Sequence, residues 1–382
     1  MIKQKKHILF LIGSMTGGGA QRVVSEIVNK LDRNNYYPAL ALFKKEGPYL
    51  SYINKDVPIY EIFGCAGYKN TLRFRKELLY LIKAIGFDLV FSHLCGPNRS
   101  ILRTAFGSNA FPPIVVCEHN NLSLNIQKII NPIRRILVTQ EIKFLYRRAS
   151  KVVAVSHGVK RDLIEQHGMK ENHIDVIYNP VDLQRIQSNL NKESILSKKS
   201  NYKKNIVAVG RLIKQKGFSD LIQAFSFVHK AIPTSRLTIL GDGELRPDLQ
   251  NQIQKLGLQD YINLPGFVDN PWTVIQEADL FAMSSYWEGL PLVLLEVMAC
   301  GIPIIYTDCD YGPREVIENE RSGILVPVGD IQAISKAIIR VLSDSNLSYL
   351  LSFNALKRVK DFDSKIVVSK YEQLFEDVLS AR

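Results

Sequence analysis

Two carboxylates, Glu288 and Glu296, stand eight residues apart in an otherwise largely apolar stretch, SSYWEGLPLVLLEVMACGIPII, residues 284–305. An amphipathic helix would explain them by structure alone, with one Glu near the helix start, where the dipole favours negative charge, and the other on a solvated face. A ligand is the alternative, because a carboxylate accepts strong hydrogen bonds from two vicinal hydroxyl groups.

Two cations, Arg211 and Lys216, follow the apolar run NIVAVG in the segment RLIKQKGF, just before a helical pattern. Arginine offers a planar fork of donors and lysine a point charge, so the pair could converge on a diphosphate. A solvated basic loop is the alternative interpretation.

Glycines and a histidine follow apolar runs of the first half. The stretch SMTGGGAQR, with Gly18 and Gly19, precedes a helical pattern, where free backbone N–H groups favour an anion. It matches neither a Walker nor a G-x-G-x-x-G motif, and a plain turn explains it as well. His119, in VVCEHNN, also follows an apolar run, although a lone histidine is more often a structural donor.

Short apolar runs alternate with helical patterns along both halves of the chain. They include HILFLI, PALALF, DLVFSH and KVVAVS in the first half, and NIVAVG, RLTILG, DLFAMS and IPIIYT in the second. Near-continuous Val/Ile/Leu strands separated by helices are typical of parallel sheets buried on both faces. We therefore predict an α/β protein with two doubly wound domains.

A polar segment rich in Lys, Ser and Asn, residues 187–205, predicts the linker between these domains. The first domain is then expected over 1–186 and the second over 206–364, with a C-terminal helix over 365–382 that returns to the first. In open α/β sheets, ligands bind beyond the carboxyl ends of the strands. The candidate residues above all follow predicted strands.

The composition is typical of a globular protein. With 382 residues the chain exceeds one comfortable core, and its longest apolar runs fall short of the roughly 20 residues that cross a bilayer. We see no signal-peptide pattern and expect a cytoplasmic protein. The five cysteines are scattered without a C-x-x-C pair, which favours reduced thiols and implies no metal site.

The net charge of +12 lies entirely in the first half. Residues 1–182 carry 26 Lys and Arg against 14 Asp and Glu, whereas the remainder carries 23 of each. This asymmetry predicts an anionic partner, either nucleic acid or a membrane surface. Recognition signatures for RNA or DNA are absent, so we expect peripheral contact with an anionic membrane and no nucleic acid.

Two segments could provide this contact. A predicted helix near 72–85 carries a basic stripe without an acidic partner, made of Lys69, Arg73, Lys76, Tyr80 and Lys83. Segment 125–151 mixes isoleucines with cations, as would a helix that is kinked near Pro132 and lies in an anionic interface. A solvated surface helix and a core helix are the respective alternatives.

Taken together, EGLPLVLLE, the upstream GRLIKQKG and the downstream DCDYGPREVIENERSGILVPVGD resemble the GT-B glycosyltransferases of family 4. The resemblance covers nearly the whole chain. It implies two Rossmann-like domains that face each other across a cleft, and an E-x7-E segment that starts as a loop and becomes a helix.

The resemblance also implies a role for each candidate residue. Glu288 would bind the donor-sugar hydroxyls and Glu296 the ribose hydroxyls, while Arg211 and Lys216 would hold the diphosphate. The other donor contacts would be the Gly18–Gly19 turn, the backbone N–H groups of Gly289 and Leu290, the Phe267 wall beside the nucleobase and, facing the sugar, His119. Here an acid, Glu118, precedes this histidine, which departs from the family's usual order.

The implied reaction transfers a sugar from a nucleotide diphosphate, UDP in our expectation, with retention at the anomeric carbon. The segments EHNN and GGGAQR look most like bacterial enzymes that add hexose or N-acetylhexosamine to polyprenyl-diphosphate-linked glycans on the inner face of the cytoplasmic membrane. In such enzymes a basic helix can bind the lipid diphosphate. The resemblance assigns this role to Lys69, Arg73 and Lys76.

No metal or other cofactor is expected. Asp308 and Asp310 imitate a metal-binding D-x-D, but Arg211 and Lys216 would already neutralise the diphosphate. Two other functions stay open: a non-catalytic membrane- or nucleic-acid-binding subunit, and a GT-B epimerase. A degenerate subunit should have lost Arg211, Lys216 or Glu288, and all three are present.

Overall fold

The computed structural model describes residues 5–62, 71–108, 110–190 and 204–381. The chain divides into two compact units, Met1–Val181 with Ser364–Arg382, and Asp182–Asp363. The elements in chain order are β1 (Lys6–Ile12), α1 (Gly19–Lys30), β2 (Tyr36–Leu42), β3 (Ile59–Glu61), α2 (Thr71–Ile85), β4 (Leu89–His93), α3 (Cys95–Ala105), β5 (Ile114–Glu118), α4 (Leu122–Gln127), α5 (Pro132–Tyr146), β6 (Lys151–Ala154), α6 (His157–Glu165), β7 (Ile174–Val176), α7 (Leu183–Leu190), β8 (Lys204–Val209), α8 (Phe218–Ala231), β9 (Ser235–Leu240), α9 (Arg246–Lys255), β10 (Ile262–Gly266), α10 (Trp272–Ile275), β11 (Leu280–Met283), α11 (Leu292–Cys300), β12 (Ile304–Thr307), α12 (Pro313–Val316), β13 (Ile324–Val326), α13 (Ile331–Ser343), α14 (Ser345–Arg358) and α15 (Ser364–Ser380).

Each unit is built around a parallel sheet. The first has seven strands in the order β3-β2-β1-β4-β5-β6-β7, and the second has six in the order β10-β9-β8-β11-β12-β13. The order reverses between β1 and β4 in one sheet and between β8 and β11 in the other, so ligand sites are expected at the carboxyl ends of these strands. The prediction of two doubly wound α/β domains is confirmed.

Helix α15 belongs to the first unit. The Phe375 ring lies 6.4 Å from that of Phe10 and 5.4 Å from that of Phe91, between ring centroids, and all three side chains are fully buried. At the edge of this contact, Tyr36 OH donates to Glu376 Oε1 at 2.7 Å. The last helix of the chain therefore completes the core beneath β1 and β4.

The boundary between the units lies at residues 181 and 182, so the predicted boundary at 186 falls inside α7. Ile186 of α7 is buried, and α7 packs against α10 and α11 of the second unit. Within the predicted linker, residues 187–190 belong to α7 and 204–205 to β8, and 191–203 lie outside the described residues.

The predicted kinked helix over 125–151 is two helices. Helix α4 ends at Gln127, and α5 begins at Pro132, after Asn131 caps it by accepting a hydrogen bond from Arg134 N at 3.0 Å. Proline lacks the N–H that a helix interior needs but suits the first helical position, so Pro132 starts a helix instead of bending one. No helix in the described ranges combines the length and apolar character that a bilayer crossing requires.

Candidate active site

Glu288 is the centre of a hydrogen-bonded cluster in the second unit. It lies in the loop between β11 and α11, is 4% exposed, and its Oε1 accepts from Lys216 Nζ at 2.6 Å, Ser285 Oγ at 2.7 Å and Tyr306 OH at 2.9 Å. Burial, followed by the charge of Glu288, raises the pKa of Tyr306 well above its ordinary value, so the phenol stays a donor. Because a buried carboxylate is costly unless it is paired, these three donors fix its position.

Lys216 reaches this carboxylate because the loop from β8 to α8 packs tightly on the loop after β11. Gly217, with a φ of 61°, follows Lys216, and a Cβ on it would lie 2.1 Å from Ser284 O. Only glycine allows this approach. Ser284 Oγ also donates to the carbonyl oxygens of Lys216 and Gly217, at 3.1 and 2.8 Å. The loops that follow β8 and β11, the two strands between which the order of the sheet reverses, are thus joined.

Arg211 stands two residues beyond β8 on the same loop, with an exposed side chain. In the part of the chain that the structure describes, its guanidinium makes no hydrogen bond or ion pair. The two predicted cations therefore differ: Lys216 already contacts Glu288, and Arg211 has all its donors available for a ligand.

Glu296 lies in the second turn of α11 and is also 4% exposed. Its helix neighbours Leu294, Leu295 and Val297 are fully buried, as expected of a helix that is apolar all round. The interpretation that places either glutamate on a solvated face is therefore wrong. As the resemblance implied, Glu288 lies in a loop and Glu296 in the helix that follows.

The backbone after Glu288 is buried and offers a donor. Gly289 and Leu290 are buried, and a Cβ on Gly312, whose φ is 81°, would lie 2.5 Å from Gly289 O. Among the described residues, the N–H of Gly289 has no acceptor. Since buried backbone N–H groups are almost always paired in proteins, this group is a candidate donor to a ligand.

Two further predictions fall at the carboxyl ends of strands. Phe267 directly follows β10, and its side chain is 59% exposed, so the ring is accessible for stacking. Asp308 and Asp310 lie in the loop after β12, where both pair with Arg314, at 2.9 and 3.9 Å. The aspartates are part of a strand-end loop, as expected.

In the first unit, Gly18 and Gly19 lie where β1 leads into α1. Gly18 precedes the helix and Gly19 is its first residue, and no acidic side chain occupies the first turn. The start of α1 can therefore offer backbone N–H groups and the positive end of the helix dipole to an anion.

His119 follows β5 and pairs with a second histidine. Its Nε2 lies 3.0 Å from Nδ1 of His93, the last residue of β4. Burial lowers the pKa of His119 to about 4, and burial followed by the proximity of His119 lowers the pKa of His93 well below its ordinary value. Both rings are neutral near pH 7, so a hydrogen bond and not a charge joins them. Its Nδ1 is buried and has no partner among the described residues.

Cys117 lies beside these two histidines. The ligand atoms of the three side chains are within 4.8 Å of one another, the one such group that could hold a metal ion among the described residues. Burial raises the pKa of the Cys117 thiol well above its ordinary value. Without a bound cation, this thiol therefore stays protonated near pH 7.

Glu118 is a buried carboxyl group of the first unit. It is 2% exposed, and its Oε1 accepts hydrogen bonds from Asn98 Nδ2 at 3.0 Å and from Tyr146 OH. Burial raises the pKa of Glu118 to about 7, although both hydrogen bonds oppose the shift.

Helix α2 presents the predicted basic stripe to solvent. Arg73 and Lys76 are exposed, whereas Phe74 is buried. Arg73 Nε pairs with Glu77 Oε1 at 2.8 Å, so the prediction of a stripe without an acidic partner is wrong. Such exposed pairs between residues four apart are weak and leave the stripe available to a stronger anion. Lys69 lies outside the described residues.

Two family models match the chain, Glycosyltransferase Family 4 over residues 17–185 and Glycosyl transferases group 1 over residues 191–358. The chain belongs to glycosyltransferase family 4. This glycosyltransferase is 28% identical to the N-acetylgalactosamine-N,N'-diacetylbacillosaminyl-diphospho-undecaprenol 4-alpha-N-acetylgalactosaminyltransferase of Campylobacter jejuni, over 92% of this chain and 94% of that protein. It is 26% identical to the UDP-Gal:alpha-D-GlcNAc-diphosphoundecaprenol alpha-1,3-galactosyltransferase of Escherichia coli, over 94% of each.

Among solved structures, the glycosyltransferase is similar to Anabaena HepE in complex with UDP and in complex with UDP and glucose. Each has a TM-score of 0.80 and 22% identity, over 97% of this chain and 100% or 99% of the other. The predicted GT-B fold is confirmed.

Sequence reasoning missed three residues that shape the sites of this glycosyltransferase: Ser285, Tyr306 and His93. Ser285 stands three residues before Glu288, which was a usable signal for a side chain near the carboxylate. Tyr306 and His93 come from neighbouring strands, and no spacing along the chain marks them.

Proposed function

We propose that this glycosyltransferase moves a hexose or N-acetylhexosamine, with retention, from a UDP-sugar to a polyprenyl-diphosphate-linked glycan in bacterial surface-glycan synthesis. The observation that carries the proposal is the Lys216–Glu288 cluster at the carboxyl ends of β8 and β11, where the strand order of the second sheet reverses. A cation can bind a diphosphate, and a fixed carboxylate beside it can accept hydrogen bonds from the attached sugar. The two relatives are named for transfer to diphospho-undecaprenol-linked glycans, which supports the acceptor class. The UDP complexes of HepE support the donor base.

In this proposal, Arg211, Lys216 and the Gly289 N–H bind the diphosphate. An ammonium has three donors, so Lys216 can keep its bond to Glu288 and still reach a phosphate. All three protein donors of the cluster meet Oε1 of Glu288, which leaves Oε2 to accept from sugar hydroxyls. Further contacts of the proposal are Glu296 on the ribose, Phe267 and Leu290 around the nucleotide, and Gly18, Gly19 and His119 on the donor from the first unit.

Stabilisation of the departing diphosphate is the main catalytic contribution that we propose. Positive charge that is already in place at the developing anion lowers the barrier without reorganisation, and this is usually the largest single contribution in such sites. The diphosphate then accepts the acceptor proton on the same face of the sugar. We propose that neither a metal nor another cofactor takes part, since Arg211 and Lys216 supply the charge.

A thermal-shift screen tests the donor assignment. A ligand at 100 times its dissociation constant adds about 2.7 kcal/mol of stability, so a UDP-sugar should raise the melting temperature in the presence of EDTA. Failure of every nucleotide sugar and free nucleotide to shift it would contradict the proposal, as would a shift that needs a divalent metal. Release of an epimerised UDP-sugar without an acceptor would favour the epimerase.

We propose that Arg73 and Lys76 of α2, together with Lys69, bind the acceptor diphosphate. Replacing Arg73 and Lys76 together by Gln should weaken the use of polyprenyl-diphosphate acceptors by about 10-fold or more, with little effect on short acceptors that lack the diphosphate. The matched control replaces the exposed Lys336 and Lys370 by Gln, which removes the same charge elsewhere. The measurement is steady-state transfer to the two acceptors. Equal changes on both acceptors would return the stripe to a solvated face.

We further propose that the enzyme acts at the inner face of the cytoplasmic membrane, in peripheral contact with anionic lipid. An acceptor that is anchored by its polyprenyl chain cannot leave the bilayer, so the enzyme must come to the surface. The first unit carries the charge excess that such a surface attracts.

A further inference from the structure

Helix α5 and the turn before it expose an apolar ridge, which is formed by Ile130, Ile133, Ile136, Leu137 and Phe144. Ile130 is 97% exposed, and the exposed fractions of Ile133, Ile136 and Leu137 are 69%, 60% and 63%. Residues 133, 137 and 144 recur at helical spacing and share one face, over roughly 16 Å at 1.5 Å per residue. Contiguous exposed side chains of this size mark an interaction site.

The ridge is not needed to hold α5 in the fold. A second apolar face of the same helix, with Val138, Ile142, Leu145 and Tyr146, is buried in the first unit. Helix α5 is therefore apolar on both sides: one side is buried, and the other is exposed apart from the contact of Phe144 with Phe106, whose ring centroids lie 5.4 Å apart. A surface helix of a globular protein normally carries polar residues on its outer face.

The charged residues of the segment that carries the ridge are almost all basic. Residues 122–151 contain seven Lys and Arg and a single acid, Glu141. Glu141 pairs with Arg99 Nε at 3.1 Å and with Arg103 Nε at 2.8 Å, both from α3, so its charge is neutralised by the protein itself. Lys128, Arg134 and Arg135 of the same segment are exposed.

The far end of the ridge is aromatic and basic. The Arg148 guanidinium lies 3.6 Å from the ring centroid of Phe144 and 5.1 Å from that of Phe106, and both rings are about half exposed. Aromatic and guanidinium groups with an apolar body and a polar end are suited to the boundary between hydrocarbon and head groups.

We propose that the apolar ridge inserts into an anionic lipid bilayer while the surrounding cations contact the head groups. Apolar side chains framed by Lys and Arg fit this boundary. A second copy of the chain fits it less well, because a two-fold interface would place the same basic residues against one another. The purpose of the contact rests on the proposed function, since it would bring the enzyme to a lipid-linked acceptor.

Vesicle flotation tests the proposal without donor or acceptor, so it can fail independently of the transfer reaction. We expect the protein to float with vesicles that contain phosphatidylglycerol and only weakly with pure phosphatidylcholine. Replacing Ile130, Ile133 and Leu137 together by Ser should reduce the binding to anionic vesicles by about 10-fold or more. The matched control replaces the exposed Tyr349, Leu350 and Phe353 of α14 by Ser and should keep the binding.

The depth that a ridge side chain reaches in the bilayer distinguishes insertion from adsorption to the bilayer surface. In an Ile130→Trp variant, anionic vesicles should shift the emission to shorter wavelength, and brominated acyl chains should quench it. Leu350→Trp is the control, and its emission should stay unchanged. Unchanged emission in Ile130→Trp, or equal loss of vesicle binding in the two triple variants, would overturn the proposal.

Light scattering distinguishes a protein partner from the bilayer. If the ridge were a dimer contact, the triple Ser variant would halve the measured mass and keep its vesicle binding, which would also overturn the proposal. Under the proposal, the triple variant keeps its mass and transfers sugar to a short water-soluble acceptor at the wild-type rate. If neither the wild type nor any variant transferred sugar, this result would contradict the proposed function. It would leave the insertion of the ridge to be judged by the vesicle measurements.

Discussion

The division of labour between Glu288 and the cations can be tested one side chain at a time. Glu288→Gln keeps an Oε1 acceptor for Ser285 and Tyr306, so the loop and the affinity for free UDP should persist while transfer falls by about 100-fold. Arg211→Ala removes a charged hydrogen bond worth about 1.5–3 kcal/mol and should weaken UDP binding roughly 10- to 100-fold. Calorimetry with UDP and steady-state transfer are the two measurements. An equal loss of UDP affinity in both variants would contradict these roles.

Glu118 predicts a pH-dependent contribution to stability. Because its folded pKa of about 7 exceeds the ordinary 4.5, the folded state binds the proton more tightly; the contribution is full below about pH 4.5 and is lost as the pH rises to about 7. The difference is on the order of 3 kcal/mol. Glu118→Gln cannot ionise and keeps an acceptor for Asn98 and Tyr146.

Glu118→Gln should therefore be more stable than the wild type at about pH 8 and similar to it at about pH 5. Denaturant unfolding of both proteins at the two pH values is the measurement. A constant difference between them would show that the carboxyl group does not carry a raised pKa.

At the scale of single residues, the sequence predicted those site residues that can be recognised by their spacing along the chain. Glu288 and Glu296 stand eight apart, and Arg211 and Lys216 bracket one loop. Tyr306 was not predictable, because its contact with Glu288 depends on the pairing of β12 with β11.

At the scale of elements, the loop between β8 and α8 places Lys216, and Gly217 makes this possible. Gly217→Ala should place a Cβ against Ser284 O and displace the loop, at a cost of roughly 3 kcal/mol or more. Gly257→Ala is the matched control: its φ of 68° is similar but a Cβ there meets nothing within 4 Å, so it should cost only about 1–2 kcal/mol.

Denaturant unfolding and UDP binding separate these two glycine variants. Gly217→Ala should lose both stability and UDP affinity, whereas Gly257→Ala should lose only a little stability. If the two variants lost the same stability and the same UDP affinity, backbone strain alone would account for the effect of Gly217→Ala. The close contact between the two loops would then contribute nothing.

The sequence predicted the type of most elements but not the partners of their faces. The kink predicted at Pro132 is a helix start, because the preceding Asn131 caps α5. Helix α5 shows why faces are harder to predict. It carries apolar residues on all sides, and only the structure shows which of them pack against α3 and the core and which are exposed to solvent.

At the scale of the whole molecule, the chain builds the first sheet, then the second unit, and returns to the first with α15. The sequence predicted a first domain that ends at 186 and a second that begins at 206, whereas the two units meet at residues 181 and 182. It could not assign α7, since the burial of Ile186 against the second unit depends on packing and not on local composition.

The return of α15 predicts a selective effect on the first unit. Phe375→Ala removes a fully buried ring between Phe10 and Phe91 and should destabilise that unit by about 3–5 kcal/mol, whereas Ile366→Ala, at a position that is 47% exposed, should cost about 1 kcal/mol or less. Both tryptophans of the chain, Trp272 and Trp287, lie in the second unit, so their fluorescence reports that unit alone. Circular dichroism reports both. In denaturant, Phe375→Ala should therefore shift part of the dichroism transition to lower concentration and leave the tryptophan transition in place, with UDP binding retained. A tryptophan transition that moved as far as the dichroism transition would contradict the assignment of α15 to the first unit alone.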